Sequence, residues 1–344
     1  MPGTVGHGPT VELRVRAAIA SIAAGRPVVV TDDADREDEG DLVFAAALAT
    51  PKLVAFTVRH TSGFVCVALP GEDCERLALP PMHHSNADRY STAYRVTVDR
   101  RGTGTGISAT DRATTIAALA APTSGPHDFV RPGHVVPLMA RPGGVLRRRG
   151  HTEAAVDLAR LAGLREAGAL CEIVSRDHPG EMARGAELTR FSGEHGLVQI
   201  SIADLVDHRR RTEPQVRRAA ETSLPTVHGP FRAVGYEGTA DGSQHMALLA
   251  GPVGDGDAVP VYVHTECLGG DVLRFTACGC RHRLDEALTR FASWGHGVVV
   301  YLRPAGRVRA CGLLADPGSA ETTHVANWIL DDLGVVPDLR RAAG

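Results

Sequence analysis

The chain has 344 residues, of which 43% are hydrophobic, and a formal net charge of -3. That length allows two domains with separate cores, and the near-neutral charge argues against nucleic acid as a main partner. No apolar run is long enough to span a bilayer and the first residues lack a secretory signal, so we expect a cytoplasmic protein without a membrane partner. Seven cysteines, an odd number, argue against a disulfide framework.

The first 200 residues alternate between helical and strand patterns, which predicts an α/β layered fold. Residues 1–10 read as a disordered tail. Helical spacing of apolar residues covers 11–24, 110–119 and 152–162, and the last of these begins with a Thr and an early Glu, typical of a capped start. Short apolar runs predict strands at 28–30, 64–69, 170–174 and 198–202. Together they predict one domain over 11–206.

A polar, charged and proline-flanked segment follows at 207–226, and its composition predicts a linker. The arginine run inside it is typical of a solvated helix. Residues 227–344 then form a smaller second domain, with predicted strands at 261–264 and 297–302 and a helix at 284–291.

An acidic segment is the most informative local feature. Residues 32–41 hold seven carboxylates and one arginine, directly after the apolar run 28–30. Clustered carboxylates after a buried strand are typical of a site for a divalent cation and a polyhydroxylated substrate, although an acidic surface turn is the simpler alternative. A second cluster at 148–154, with Arg148, His151 and Glu153, supplies complementary groups.

Six segments carry a resemblance that spans about 200 residues. In chain order they are DDADREDEGD, RHTSGFVCVAL, GISATDRATTI, RPGHVVPL, RRGHTEAAVDLARLAG and GALCEI. Together they closely resemble 3,4-dihydroxy-2-butanone-4-phosphate synthase, an enzyme of riboflavin biosynthesis. The resemblance implies a mixed-sheet domain, a homodimer, and conversion of ribulose 5-phosphate to a four-carbon phosphate and formate.

The resemblance also assigns roles to single residues. It implies that Glu37 and His151 bind Mg²⁺ or Mn²⁺ and that His134 and Glu172 are the acid–base groups. Asp41 would contact substrate hydroxyls or transfer a proton. The full set implied to contact substrate is Arg36, Glu37, Asp41, Cys66, Thr105, Arg148, Thr152 and Glu172. Such chemistry requires a base next to a carbonyl and cationic or hydroxyl anchors for the phosphate.

Two departures from the pattern leave an alternative open. Arg149 stands where the family has a glycine, and the loop 81–88 carries His83, His84 and Ala87 in place of apolar residues and a threonine. A diverged paralogue that acts on another sugar phosphate in a specialised pathway would explain both.

The last third resembles the zinc region of GTP cyclohydrolase II, on YVHTECLGGDVLRFTACGC followed by GHGVVVYLRPAGR. Cys267, Cys278 and Cys280 give the spacing C-x10-C-x-C, which matches the three zinc thiolates of that family. Three thiolates leave a fourth position for water, as in catalytic zinc sites. Cys311 falls outside the motif.

Beyond the cysteines the match weakens. Tyr262 replaces the arginine of that family, and 304–308 read PAGRV in place of Gln-Glu-Gly-Arg-Gly. The Arg-Asp-Tyr-Gly motif, which supplies the nucleophilic arginine, is replaced by 321–328, and the chain stops at Gly344, short of the usual end. We therefore expect a degenerate domain that binds zinc without GTP chemistry. A zinc-stabilised binding or regulatory module is the alternative from a different class.

Overall fold

The computed structural model describes residues 10–253, 258–303, 305–306, 308–311 and 320–338. The chain divides into two compact units, Met1–Arg209 and Arg210–Gly344. The predicted tail lies outside the described residues except for Thr10, and so do Pro304 and Arg307 of the PAGRV segment. None of the described helices is both long and apolar enough to cross a membrane.

The N-terminal unit contains one seven-stranded sheet covered by helices. Its strands are β1 (Val28–Thr31), β2 (Gly40–Ala45), β3 (Cys66–Leu69), β4 (Val98–Arg100), β5 (Phe129–Met139), β6 (Gly168–Glu172) and β7 (Gln199–Ser201). Its helices are α1 (Val11–Ala23), α2 (Pro51–His60), α3 (Gly71–Arg76), α4 (Ala109–Ala120), α5 (His151–Leu161), α6 (Gly185–His195) and α7 (Ile202–Thr212), the last of which continues past Arg209.

The sheet order is β4-β5-β3-β6-β2-β1-β7. The pairs β3–β5 and β1–β7 are parallel, whereas the others are antiparallel, so the predicted mixed sheet is confirmed. Side chains of a strand alternate between faces. Val28 and Val30 accordingly pack with α1, α5 and α7, while Val29 packs with α6 on the opposite face.

Most predicted elements of this unit agree with the structure. Helices α1, α4 and α5 and strands β1, β3, β6 and β7 lie within two residues of their predicted positions. The predicted cap of α5 is wrong, because Gly150 is the N-cap residue without a side-chain cap and Thr152 lies inside the helix. Asp41 lies not in a loop but on β2.

The C-terminal unit has a five-stranded sheet in the order β12-β13-β10-β9-β8. Its elements are β8 (Val216–Thr226), β9 (Gly229–Gly238), β10 (Gln244–Ala250), β11 (Ala258–Val259), β12 (Val261–Thr265), α8 (Cys280–Trp294), β13 (Gly297–Leu302), α9 (Ala320–Asp332) and β14 (Val336–Pro337). Helix α8 packs on one face through Leu284 and Phe291. Helix α9 packs on the other through Ile329 and Leu330.

The linker predicted for 207–226 is wrong. Helix α7 continues to Thr212, and β8 pairs with β9 in an antiparallel hairpin from Val216 to Thr226. The arginine run is not simply solvated either, since Arg209 is buried and donates to Asp157 Oδ2 at 2.6 Å.

Candidate functional site

Strand register brings the predicted site residues of the N-terminal unit to one edge of the sheet. Asp41 pairs with Glu172 across β2 and β6, and Val30, next to the end of β1, pairs with Asp41. Cys66 begins β3 and pairs with Leu170, two residues before Glu172. It also pairs with Val136 on parallel β5, two residues after His134.

Asp32 organises the acidic segment, which is the turn between antiparallel β1 and β2. Its side chain is fully buried and accepts a hydrogen bond from Arg36 Nη1 at 2.8 Å. It also accepts from the backbone N–H groups of Glu37 at 3.1 Å and Glu39 at 2.9 Å. Asp32 therefore differs from the other six carboxylates of the segment, because its contacts fold the turn. No local motif in the sequence distinguishes it from them.

Glu37 and His151 face each other, as the resemblance implies. His151 Nδ1 lies 3.5 Å from Glu37 Oε2. One carboxylate oxygen of Asp32, one of Glu37 and one ring nitrogen of His151 all lie within 4.8 Å of one another. His151 Nε2 lies 3.2 Å from the Val30 carbonyl. Because a carbonyl only accepts, Nε2 donates to Val30 and Nδ1 faces the Glu37 carboxylate, which is the usual orientation of a metal-binding histidine.

Burial and charge perturb the pKa values here. Burial raises the pKa of Asp41 to about 7, and nearby Glu172 and Glu37 act in the same direction. Burial lowers the pKa of His151, but Asp41, Glu37 and Asp32 outweigh it and raise that pKa to about 9. Burial likewise acts against ionised Glu37, yet contacts with His151 and Arg36 hold the pKa of Glu37 below its ordinary value.

Asp41 provides the test of whether these residues fit a cation. Its side chain is buried, and among the described residues Oδ1 has no hydrogen-bond partner. His151 Nδ1 lies 3.9 Å from that atom. Buried carboxylate oxygens without partners are rare, and an ion, a water molecule or a catalytic role would account for this one. Carboxylate oxygens and one imidazole suit Mg²⁺ or Mn²⁺, so the residues fit such an ion.

Glu172 lies at the end of β6 and is tied to Ser62. Ser62 Oγ donates to Glu172 Oε2 at 2.7 Å, and the Ser62 N–H donates to the Glu172 carbonyl at 2.8 Å. The orientation of the carboxylate is therefore fixed. Cys66 is buried beside it, and burial raises the pKa of this thiol well above its ordinary value. A neutral buried thiol is suited to shaping the site rather than to nucleophilic attack.

His134 is oriented by Asp99, which the sequence analysis also missed. His134 Nδ1 lies 2.7 Å from Asp99 Oδ2, and the His134 backbone N–H donates to Asp99 Oδ1 at 2.8 Å. The carboxylate fixes the proton on Nδ1 and leaves Nε2 for other partners. The imidazole is 42% exposed, enough to reach a bound molecule.

Thr105 is exposed, in a turn that lies beside His134. Asp111 accepts from the N–H groups of Gly104 at 3.3 Å and Gly106 at 3.2 Å. Gly106 has a φ of +86°, and a Cβ there would come within 2.8 Å of His134 Nδ1. The glycine is therefore needed for the turn to approach the histidine.

Arg148 is held by several protein groups. Its Nη1 donates to Glu153 Oε2 at 2.6 Å, and Nη2 donates to the Tyr90 carbonyl at 3.0 Å and to Thr92 Oγ1 at 3.1 Å. Arg36 likewise contacts Glu37 at 2.9 Å and stacks over the Tyr90 ring. Both guanidinium groups therefore already have protein partners, and a bound phosphate would be an additional partner.

The start of α5 combines a buried Thr152 with backbone groups that no side chain caps. Helix N-termini of this kind bind anions. Gly150 is constrained, because a Cβ there would lie 2.3 Å from Arg148 Nη1. Arg149 is 45% exposed, and its Nη1 lies 3.7 Å from Asp33 Oδ2.

In the C-terminal unit, the structure brings the three predicted zinc cysteines together. Cys267 Sγ and Cys278 Sγ lie 3.7 Å apart. The sulfur atoms of Cys267, Cys278, Cys280 and Cys311 all lie within 4.8 Å of one another. Cys311, which the motif leaves out, therefore belongs to the cluster.

Beside the cysteines, the position of the expected arginine is filled differently. The Tyr262 hydroxyl lies 3.4 Å from His264 Nδ1, and His264 Nε2 lies 2.8 Å from Asp271 Oδ2. Asp271 Oδ2 also accepts from the Tyr301 hydroxyl at 2.9 Å. Arg283 of α8 also hydrogen-bonds with the Tyr262 side chain. The guanidinium at this place therefore comes from α8 and not from position 262.

At the edge of the N-terminal sheet, oriented carboxylates and imidazoles meet, as in enzymes that bind a divalent cation and move protons on a small molecule. Residues 16–208 match the family model of 3,4-dihydroxy-2-butanone 4-phosphate synthase. The chain belongs to this family. Residues 217–336 match the model of GTP cyclohydrolase II.

Similar proteins agree with both matches. The riboflavin biosynthesis protein RibBA of Salinispora arenicola is 56% identical over 330 residues, which cover 95% of this chain and 78% of that protein. RibBA of Mycobacterium tuberculosis is 58% identical over 294 residues, covering 84% and 69%.

Two solved structures are also similar. RibBX from A. baumannii, described as a two domain 3,4-dihydroxy-2-butanone 4-phosphate synthase, has a TM-score of 0.76 and 38% identity, covering 94% of this chain and 91% of that one. A synthase in complex with two magnesium ions has a TM-score of 0.56 and 44% identity, covering 58% and 97%.

Proposed function

We propose that the N-terminal unit is a Mg²⁺-dependent 3,4-dihydroxy-2-butanone 4-phosphate synthase of riboflavin biosynthesis. It would convert ribulose 5-phosphate to L-3,4-dihydroxy-2-butanone 4-phosphate and formate. One observation carries the proposal: the buried Asp41 Oδ1 without a hydrogen-bond partner among the described residues, facing His151 at the edge that also holds Glu172.

Glu37 and His151 would hold the cation, with Asp41 toward the substrate hydroxyls. The solved synthase with two magnesium ions supports Mg²⁺ as the ion. When bound, the cation would neutralise negative charge that develops on substrate oxygens. Its affinity should fall at low pH, because His151 Nδ1 must lose its proton to become a ligand.

Glu172 and His134 would handle protons at carbon and oxygen atoms of the substrate. Ser62 holds one carboxylate oxygen of Glu172 at 2.7 Å, which leaves the other free to act as a base or acid. Asp99 holds His134 Nδ1 at 2.7 Å and so presents Nε2 to the substrate. His134 on β5 and Glu172 on β6 lie on either side of Cys66 on β3, and the Cys66 thiol would pack against the substrate.

The phosphate would lie at the start of α5. Thr152 and the uncapped backbone N–H groups provide donors there, and Arg148 and Arg36 provide positive charge. Thr105, at the tip of the turn beside His134, would contact the substrate from the other side. Arg148 already donates to Glu153. It would therefore attract the phosphate through its positive charge and not through two direct hydrogen bonds.

We propose further that the C-terminal unit binds one zinc ion but does not hydrolyse GTP. Tyr262, bonded to His264, occupies the place of an arginine, and PAGRV replaces the Gln-Glu-Gly-Arg-Gly segment. In the sequence, only 17 residues, 303–319, separate the end of β13 from the start of α9. RibBX, which has two domains, is likewise described by the synthase activity alone.

A diverged paralogue remains the second candidate. Arg149 is half exposed beside Asp33, and the His83 and His84 rings, 4.1 Å apart, lie on an exposed loop. In such a paralogue, Arg149 and the loop that carries His83 and His84 would contact a different sugar phosphate. Comparing turnover of ribulose 5-phosphate with that of other pentose phosphates separates the two candidates.

The proposal also includes a homodimer in the cytoplasm, with neither nucleic acid nor a membrane as a partner. Sedimentation velocity at several protein concentrations tests the dimer: a single species of about 36 kDa would contradict it.

The metal assignment has a direct test. EDTA should abolish consumption of ribulose 5-phosphate, and Mg²⁺ should restore it. Glu37→Gln should raise the Mg²⁺ concentration for half-maximal rate by about tenfold or more, whereas Glu72→Gln, an exposed control on α3, should not change it. An unchanged Mg²⁺ requirement in the Glu37 variant would remove this residue from the metal site.

A further inference from the structure

Cys311 adds a fourth thiol to the cluster of Cys267, Cys278 and Cys280. It lies after β13, 31 residues beyond Cys280, and no local spacing connects it to the other three. Cys280 Sγ and Cys311 Sγ nevertheless lie 3.6 Å apart, and the four sulfur atoms all lie within 4.8 Å of one another.

The distances between these sulfur atoms fit one tetrahedral ion. Zinc–thiolate bonds of about 2.3 Å place the sulfur atoms of a tetrahedral site about 3.8 Å apart. The Cys267–Cys278 and Cys280–Cys311 separations are 3.7 Å and 3.6 Å. We propose that Cys311 is the fourth zinc ligand, so that the zinc site is closed and structural. This inference rests on the zinc binding proposed above.

The segment that carries Cys311 is fixed against the Cys267 loop. The Leu268 backbone N–H donates to the Arg309 carbonyl at 2.9 Å, and Arg309 Nη1 donates to the Thr265 carbonyl at 3.3 Å. Ala310 is buried. The two hydrogen bonds of Arg309 and the burial of Ala310 thus hold the segment just before Cys311 in place.

Donors around the sulfur atoms suit a metal thiolate site. The Gly270 N–H donates to Cys267 Sγ at 3.4 Å, and the Cys280 N–H donates to Cys278 Sγ at 3.5 Å. Arg283 Nη2 lies 3.6 Å from Cys280 Sγ. Four thiolates and one Zn²⁺ carry a net charge of -2, which N–H donors and a guanidinium partly offset.

A closed site changes the role of the metal. A catalytic zinc needs an open position for water, whereas a four-cysteine zinc holds segments together. Here the ion would join the turn after β12, the start of α8 and the segment after β13. The fourth thiolate occupies the position that water would need, so the same zinc would stabilise the unit and leave no hydrolytic centre.

X-ray absorption at the zinc edge of the full-length protein tests this assignment. The wild type should give one zinc per chain with four sulfur neighbours at about 2.3 Å. Cys311→Ser should give three sulfur atoms and one oxygen or nitrogen, and should lose zinc to a chelator at least about tenfold faster. Cys74→Ala, a buried cysteine on α3 outside the cluster, should match the wild type.

Three sulfur atoms and one lighter ligand in the wild type would overturn the inference, even if Cys311→Ser does not fold. A zinc-free protein with a Cys280–Cys311 disulfide, detected by mass spectrometry, would also overturn it. Turnover of ribulose 5-phosphate and of GTP should be measured on the same samples, so that the zinc-ligand role of Cys311 and the proposed function are tested separately. A four-sulfur zinc in a chain that hydrolyses GTP would contradict the proposed function and leave the ligand assignment intact.

Discussion

Glu153 offers a sharp test of how the start of α5 is built. Its side chain is 1% exposed, pairs with Arg148 at 2.6 Å and accepts the Arg141 backbone N–H at 3.0 Å. We expect Glu153→Ala to weaken the N-terminal unit strongly, because it leaves the Arg141 N–H group without its acceptor and the Arg148 guanidinium without its counter-ion.

The magnitude follows from these contacts. Removing one partner of a buried ion pair costs about 3–5 kcal/mol. Arg148 is 16% exposed and keeps the Tyr90 carbonyl and Thr92 as partners, so we expect a smaller cost than that range, about 2–3 kcal/mol. At about 1.4 kcal/mol per tenfold change, the opening equilibrium of the unit should rise about 30- to 150-fold.

Hydrogen exchange measured by mass spectrometry is the suitable assay, because both tryptophans, Trp294 and Trp328, lie in the C-terminal unit. Peptides from β6 should exchange faster by that factor, whereas peptides from β13 provide an internal control. Glu166→Ala, an exposed carboxylate near the end of α5, is the matched variant and should leave β6 unchanged. Equal protection of β6 in Glu153→Ala and the wild type would refute the reasoning.

Three further predictions concern the site. Glu172→Gln and His134→Ala should each lower kcat by about 10²-fold or more with little effect on folding; near-normal rates would remove that residue from the mechanism. Arg148→Ala should raise KM more than it lowers kcat, and altered substrate preference in Arg149→Gly would instead favour the paralogue. In the metal-free chain, folded Asp41 keeps its proton up to about pH 7, so the free energy of unfolding should fall as pH rises from about 4 to 7. Urea unfolding of Asp41→Asn should lack that fall, and an unchanged pH profile would contradict the pKa.

The sequence predicts the part of the site that local motifs carry. Glu37, Asp41, His151 and Glu172 meet at one sheet edge because antiparallel register fixes which strand ends coincide. Asp32 could not be separated from its six acidic neighbours, because what distinguishes it is the two N–H groups that it accepts.

Long-range contacts explain the other omissions. Asp99 lies 35 residues from His134, and Cys311 lies 31 residues from Cys280, beyond β13. The sequence predicts a linker in place of β8 because this strand lies at the edge of its sheet and most of its side chains are exposed. Such a strand has no apolar alternation to reveal it.

Formate release decides between the two activities, because conversion of ribulose 5-phosphate and hydrolysis of GTP by a GTP cyclohydrolase II would both produce it. One purified sample of the full chain would be given Mg²⁺ with ribulose 5-phosphate, or with GTP. We predict formate from ribulose 5-phosphate, lost on adding EDTA, and none from GTP. The account would be contradicted by the absence of formate from ribulose 5-phosphate, by undiminished release after chelation, or by formate from GTP.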